Sequence, residues 1–247
     1  MIQGMIDPEC EKKKAIGVIS PHAGFEYSGP VAGAVFSSVE LPDTFLVLGP
    51  SHRPIRSEIA IMKQGVWETP LGDAQVDSSL AELIMGHSAL ITEDNSAHMN
   101  EHSLEVQLPF IQYFKKDVAV VPICISYHVG FEELEELGKS LAKGIKEFGK
   151  DVLIVASTDM SHYVEQSEAE EKDFLAIDKI LKLDAKGLHQ VVERKSISMC
   201  GYQPTTSALV AAQELGAREA TLIKYQTSGD RTGNYSEVVG YAGIRIT

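Results

Sequence analysis

The chain has 247 residues, 44% of them hydrophobic and 23% charged, which is enough apolar material for a packed core within one domain. With 35 acids against 22 bases its net charge is −13, a field that repels nucleic acid and anionic membrane surfaces and excludes both as main partners. Three cysteines (Cys10, Cys124, Cys200) with no C-x-x-C pair, no apolar leader and no run of ~18 apolar residues point to a reducing, cytoplasmic setting without a membrane span.

In chain order, AIGVIS (15–20) reads as a buried strand that stops at Pro21 and is followed at once by His22. A helix is expected over 30–39. TFLVLG (44–49) is a second buried strand, ending in Pro50, Ser51 and His52, and SEIAIMK (57–63) is a shorter one. Asp77 caps a helix over 77–86 that stops at Gly86. HSLEVQLPFIQYF (102–114) places Leu104, Leu108 and Ile111 on one helical side, with a break expected at Pro109. VAVVPICIS (118–126) and DVLIVAS (151–157) are strands, separated by an amphipathic helix over 131–149 that aligns Leu134, Leu137, Leu141 and Ile145. Helices over 167–183 and 204–216 follow, then two consecutive strands, 220–226 and 238–246. Strands apolar at every position are buried on both faces, and their alternation with helices specifies a single α/β domain over 1–247. Its sheet is mostly parallel or mixed, with helices on both faces, and the two consecutive final strands make part of it antiparallel.

In such sheets ligands bind beyond the carboxyl ends of the strands. His22, His52, His128, and the pair Asp159 and His162 all fall just past a strand end. His22 and His52 share a proline-containing turn, which marks them as site residues. His128 has no supporting feature and is read as solvated, and His87, His98 and His189 as surface residues. Asp159 and His162, three apart, would share one face of a helical turn, the carboxylate orienting the imidazole as a base. Glu101 and His102 are either an acidic helix entry or groups reaching into the crevice. Cys124, inside an apolar strand, is an inert core thiol. Cys200, in SMCGYQPTT ahead of the last helix, is expected to have its thiol pKa lowered by the helix N-terminus. Two imidazoles and a thiolate form a three-ligand set that leaves a position open, and such a set binds Zn, Fe or Cu.

The segments SPHAGFEYSG, LGPSHR, WETPLGD, EHSLEVQLPF, STDMSHY and CGYQP, in that order, resemble the Memo family over most of the chain. The resemblance implies a fold similar to class III extradiol dioxygenases and a mononuclear metal site, iron first and copper the alternative. It implies His22, His52 and Cys200 as ligands, with Asp159 and His162 lining the pocket and Glu101 and His102 close by. Those dioxygenases hold iron with two histidines and a carboxylate, whereas the third place here is Cys200, so ring-opening activity does not carry over with the fold. The stretch ahead of the Pro-His-Ala-Gly motif is shorter than is usual in the family, so residues 1–14 are expected to be a truncated or irregular lead-in.

The leading expectation is therefore a metal-dependent redox protein or dioxygenase-like enzyme with a small-molecule or peptide ligand in the crevice. There Asp159, His162, Glu101 and His102 would serve the chemistry. The alternative is a non-catalytic peptide- or protein-binding module using the same crevice. A cysteine hydrolase built from Cys200, His162 and Asp159 ranks last, because it leaves His22 and His52 without work.

Overall fold

The computed structural model describes residues 2–247. A 3-10 turn at Ile2–Met5 precedes β1 (Gly17–Ser20), α1 (Phe25–Ser37), β2 (Thr44–Pro50) and β3 (Ile59–Ile61). A hairpin of β4 (Val66–Thr69) and β5 (Gly72–Val76) leads to α2 (Ser78–Gly86) and the two-residue β6 (Thr92–Glu93). Next come α3 (Leu108–Phe114), β7 (Ala119–Ile125), α4 (Phe131–Phe148), β8 (Val152–Ser157) and β9 (His162–Val164). The chain closes with α5 (Gln166–Leu181), α6 (Ala185–Lys195), α7 (Tyr202–Glu214), β10 (Ala220–Thr227), a single turn α8 (Gly229–Thr232) and β11 (Val238–Ile246).

The strands make one 11-stranded mixed sheet in the order β10-β11-β1-β8-β2-β7-β3-β6, with β5 also on β7 and β9 on β11. Its centre, β1-β8-β2-β7, is parallel throughout, and β11 runs antiparallel to both β1 and β10. Successive residues of the central strands enter different cores. Leu46, Leu48, Ile123 and Ile154 pack with α2, α4, α5, α6 and α7 on one face. Phe45, Val47, Val120 and Leu153 pack with α1 and α3 on the other. Burial of both faces is why these strands carry no polar alternation.

Several elements depart from the sequence expectation. α1 begins at Phe25 rather than residue 30, because Gly24 O already accepts from Tyr27 N and Ser28 N. Pro30 therefore lies inside the helix, which is held by burial of Val31, Val35 and Phe36. The segment 102–114 opens as a 3-10 turn at Glu105–Gln107, and α3 starts at Leu108. Pro109 thus occupies the first turn, where no amide hydrogen is required, instead of breaking a longer helix. α6, the β4–β5 hairpin and β9 were not marked by the sequence periodicity. The lead-in is irregular between its 3-10 turn and β1, yet Met5 packs against α1 where Gly29 and Gly33 leave no room for a Cβ. Among the described residues no helix is long and apolar enough to cross a membrane.

This topology creates the crevice. The chain leaves β1 for α1 on one face of the sheet, and leaves the adjacent β8 for α5 on the opposite face. The two connections diverge, and a gap opens beyond the carboxyl ends of β1 and β8.

Candidate metal centre

His22 sits at that gap, 1% exposed, two residues past β1. Its backbone N–H donates to Asp159 Oδ1 at 2.8 Å, and the Ala23 N–H reaches the same oxygen at 3.2 Å. Its ring is oriented by Ser157, the last residue of β8, whose Oγ stands 2.9 Å from Nδ1. The hydroxyl has one proton, donated to Ser103 O at 2.5 Å, and it accepts from Gln107 Nε2 at 2.8 Å. Only an acceptor position remains for His22, so Nδ1 carries the ring hydrogen and Nε2 keeps its lone pair. Burial, opposed by Asp159 and reinforced by the His52 and His102 rings, lowers the pKa of His22 from 6.5 to about 4. The ring is neutral at physiological pH with a bare nitrogen facing the crevice, the form that binds a metal.

Nε2 of His22 lies 3.3 Å from Cys200 Sγ. The backbone N–H of Asp159 also donates to that sulfur, at 3.3 Å. Cys200 comes this close because Gly201 packs on the end of β8, where a Cβ would collide with Ser157 O and Thr158. The expected lowering of the thiol pKa is not found. Withdrawal from water, and then the Asp159 carboxylate, push it well above the ordinary thiol range. Cys200 stands directly before Gly201, the N-cap of α7, so burial outweighs whatever that helix end contributes. Without a cation the thiol keeps its proton and donates it to His22.

His52 follows β2 and is held by Glu101, which is 3% exposed. Its backbone N–H donates to Glu101 Oε2 at 2.6 Å, and its Nδ1 stands 2.8 Å from Oε1, which also accepts from Ser103 N at 2.8 Å. Burial acts to raise the Glu101 pKa, but the His52 ring and the two backbone donors outweigh it and hold the carboxyl at about 2. A carboxylate that accepts from Nδ1 leaves Nε2 free, the arrangement that supports a metal-bound histidine. His102 is next to it: its ring stacks on His52 at 4.7 Å and 26°, and lies 5.5 Å from His22.

Among the described residues two groups of donor atoms, each mutually within 4.8 Å, result: His22, His52 and His102, and His22, Asp159 and Cys200. Both include His22. The expected set of His22, His52 and Cys200 straddles them, and His102 stands among the potential ligands rather than beside them. The residues fit a transition metal, since His22 and His52 each have Nδ1 engaged and the other nitrogen free, and a sulfur lies in reach of His22.

The expected pairing of Asp159 with His162 is not formed. Residues 159–162 are not a helical turn, because His162 starts β9 against β11. Its Nδ1 pairs with Ser198 O at 2.8 Å, while Asp159 turns toward His22. His162 belongs to neither donor group, and the Cys200–His162–Asp159 hydrolase triad is likewise not assembled. His98 and His189, expected at the surface, are 8% and 6% exposed. His98 ends the 3-10 turn Asn95–His98 and faces Trp67, and His189 lies between Phe131 and Tyr202. His128 is exposed, as expected. Cys124 is fully buried, and burial pushes its thiol up to about 12.

Sequence reading missed Ser157 and Gln107, the pair that sets the His22 tautomer. The only signal was a polar residue ending a fully apolar strand and a glutamine on an apolar turn, and neither pattern names its partner. A cavity of about 230 Å³ opens beside His52, walled by Ser51, Arg53, Ser126, Tyr127 and His128. A hollow of about 300 Å³ at the opposite edge of the sheet is lined by Lys14, Glu40 and Asp151 and contains none of these donors.

A sequence profile described as Memo-like protein matches residues 1–245. A MEMO1 family protein of Pyrobaculum arsenaticum is 46% identical over 94% of this chain and 83% of its own length. Those of Methanococcoides burtonii and Methanothermobacter thermautotrophicus are 44% and 43% identical, over 96% and 92% of this chain and 89% and 83% of their own lengths. An uncharacterized protein from Escherichia coli K12, of known crystal structure, shares the fold with a TM-score of 0.62 at 14% identity, covering 95% of this chain and all of that one. A match over nearly every residue, together with relatives above 40% identity, settles the classification: the chain belongs to the Memo family.

Proposed function

We propose that this protein is a mononuclear metal protein in which His22, His52 and Cys200 hold one transition-metal ion, iron first and copper or zinc as alternatives. In this reading it carries out redox chemistry on a small-molecule or peptide ligand in the crevice, within a reducing cytoplasm. The observation that carries the reading is the fixed tautomer of His22: Ser157 leaves Nε2 unprotonated and aims it at Cys200 Sγ, 3.3 Å away.

A bound ion would supply Lewis acidity or an electron to a ligand in its open position. The chain's own residues do the rest. Ser157 and Glu101 hold the two rings in their metal-binding tautomers. Asp159, 3.9 Å from His22 Nε2 through Oδ2, offers an acceptor for the proton that Cys200 must lose. Arg53 and Tyr127 line the cavity beside His52, where a ligand would meet a cation and an aromatic residue. His162, with Nδ1 paired to Ser198 O, has Nε2 available as an acceptor. A thiolate in place of the carboxylate of ring-opening dioxygenases favours softer ions and alters the charge at the metal, so the reading extends to redox chemistry and not to ring opening.

The test is elemental analysis of anaerobically purified protein. Wild type is expected to hold about one ion per chain and His22→Ala under about a tenth of that, because His22 is shared by both donor groups. Equal metal content in the two proteins overturns the assignment and leaves the non-catalytic binding module as the surviving account of the crevice.

A further inference from the structure

Of the imidazoles at the crevice, His102 has no evident structural task. It is 53% exposed at its side chain, and its nearest polar contact is Glu101 Oε1 at 3.5 Å, beyond a good hydrogen bond. Yet it stacks on His52, and one of its nitrogens lies within 4.8 Å of donor atoms on both His22 and His52. Cys200 and His102 are therefore both neighbours of His22, one in the covered floor of the gap and the other at its open mouth.

We propose that His102 is an exchangeable ligand: an ion held by His22 and His52 takes its third protein donor either from Cys200 on the buried side or from His102 on the open side. This rests on the metal-centre reading and adds a second, sulfur-free coordination position to it. Both positions use His22 Nε2, so they are alternatives and the chain binds one ion at a time.

The geometry is permissive. Three nitrogens each about 2.1 Å from one ion at tetrahedral angles stand about 3.4 Å apart. Separations of up to 4.8 Å close to that value by rotation of side chains. His102 is free to rotate, whereas His22 is held on Asp159 and Ser157. Glu101 Oε1 holds the His52 ring through Nδ1 at 2.8 Å but lies 3.5 Å from His102 Nδ1, so it fixes the first ring and leaves the second able to turn. The chemistry of the two positions differs. The thiolate side suits soft ions such as Cu(I), while three neutral imidazoles suit borderline divalent ions such as Zn²⁺, Co²⁺ or Cu²⁺. One centre would thus accept ions of either class, sorted by the third ligand.

Cobalt(II) is the probe, because its visible absorption reports coordination and a near-ultraviolet charge-transfer band reports sulfur. It is titrated anaerobically into metal-free wild type, Cys200→Ser, His102→Gln and the double variant. Wild type and His102→Gln are expected to show the sulfur band. Cys200→Ser is expected to lose that band but keep one-to-one binding, weakened by no more than about 100-fold. The double variant is expected to bind at least about 100-fold more weakly than Cys200→Ser. A gain of signal guards against misfolding: Cys200→Ser with His102→Cys should regain a sulfur band. If Cys200→Ser binds no cobalt, or binds equally well with and without His102, the exchangeable ligand is overturned while the sulfur-bound centre of wild type stands. If wild type itself binds none, the metal-centre reading fails and this one fails with it.

Discussion

At the scale of single residues, the site depends on a hydroxyl with no spare valence. Ser157 Oγ gives its proton to Ser103 O and accepts from Gln107 and His22, which turns a two-tautomer ring into one. Ser157→Ala removes that acceptor and leaves His22 Nδ1 without a partner in a buried place. Loss of a group that supports a ligand costs 10- to 100-fold in metal affinity, so a drop of roughly that size is expected by competition with a chelator. Glu101→Gln should act through His52 by a similar factor. There the amide still accepts one hydrogen bond but no longer offsets the charge at the ion. Circular dichroism would separate these affinity losses from unfolding.

Among the elements, α4 and α7 pack extensively and closely against each other. Gly138 on α4 faces Val210 and Ser207 of α7, and a Cβ there would lie 2.6 Å from Val210 Cβ and 2.7 Å from Ser207 O. Alanine in a helix gains about 1 kcal/mol over glycine from propensity. Overpacking a tight contact costs typically 1–3 kcal/mol. The backbone oxygen cannot move aside without shifting α7, which carries Cys200 at its entry, so the cost should prevail. Gly138→Ala is expected to be destabilised, by up to about 2 kcal/mol, in urea unfolding of metal-free protein. Gly86→Ala at the end of α2, with nothing within 4 Å of an added Cβ, should be neutral or stabilising. Elements were legible in the sequence where a hydrophobic period was long. α4, with Leu134, Leu137, Leu141 and Ile145 all buried, is the clearest case. α6 buries only Leu188 and Val192 among its large apolar residues, in a polar stretch, and β9 is three residues long, so neither left a period to read.

Across the whole molecule, stability toward acid is expected to be set in part by buried neutral imidazoles. His98 has neither ring nitrogen hydrogen-bonded, and burial, against the pull of Asp94 and Glu101, lowers its pKa from 6.5 to about 4. Between those values the unfolded chain binds a proton that the folded chain refuses. Stability therefore falls as pH drops from 6.5 to about 4 and stops falling from this source below that. The full effect is on the order of 3 kcal/mol. His98→Phe keeps the contact with Trp67 and removes the titrating group. Its unfolding free energy should change less across that interval than that of wild type, measured by urea unfolding at a series of pH values.

The sequence by itself determined the layered α/β class, the buried parallel strands and the placing of His22, His52 and Asp159 just past their ends. Those features follow from local hydrophobic runs and from prolines that end them, which any short window of the chain displays. It also marked Cys200 by its turn-forming neighbours. Only the tertiary structure decided the partners: Asp159 with His22 instead of His162, Glu101 with His52, and His102 among the donors. Asp159 and His22 are 137 positions apart and meet because β8 inserts beside β1 in the sheet. A residue's type and spacing encode which chemistry it can perform, whereas the neighbour that fixes its tautomer or charge is set by strand order, to which local pattern is blind.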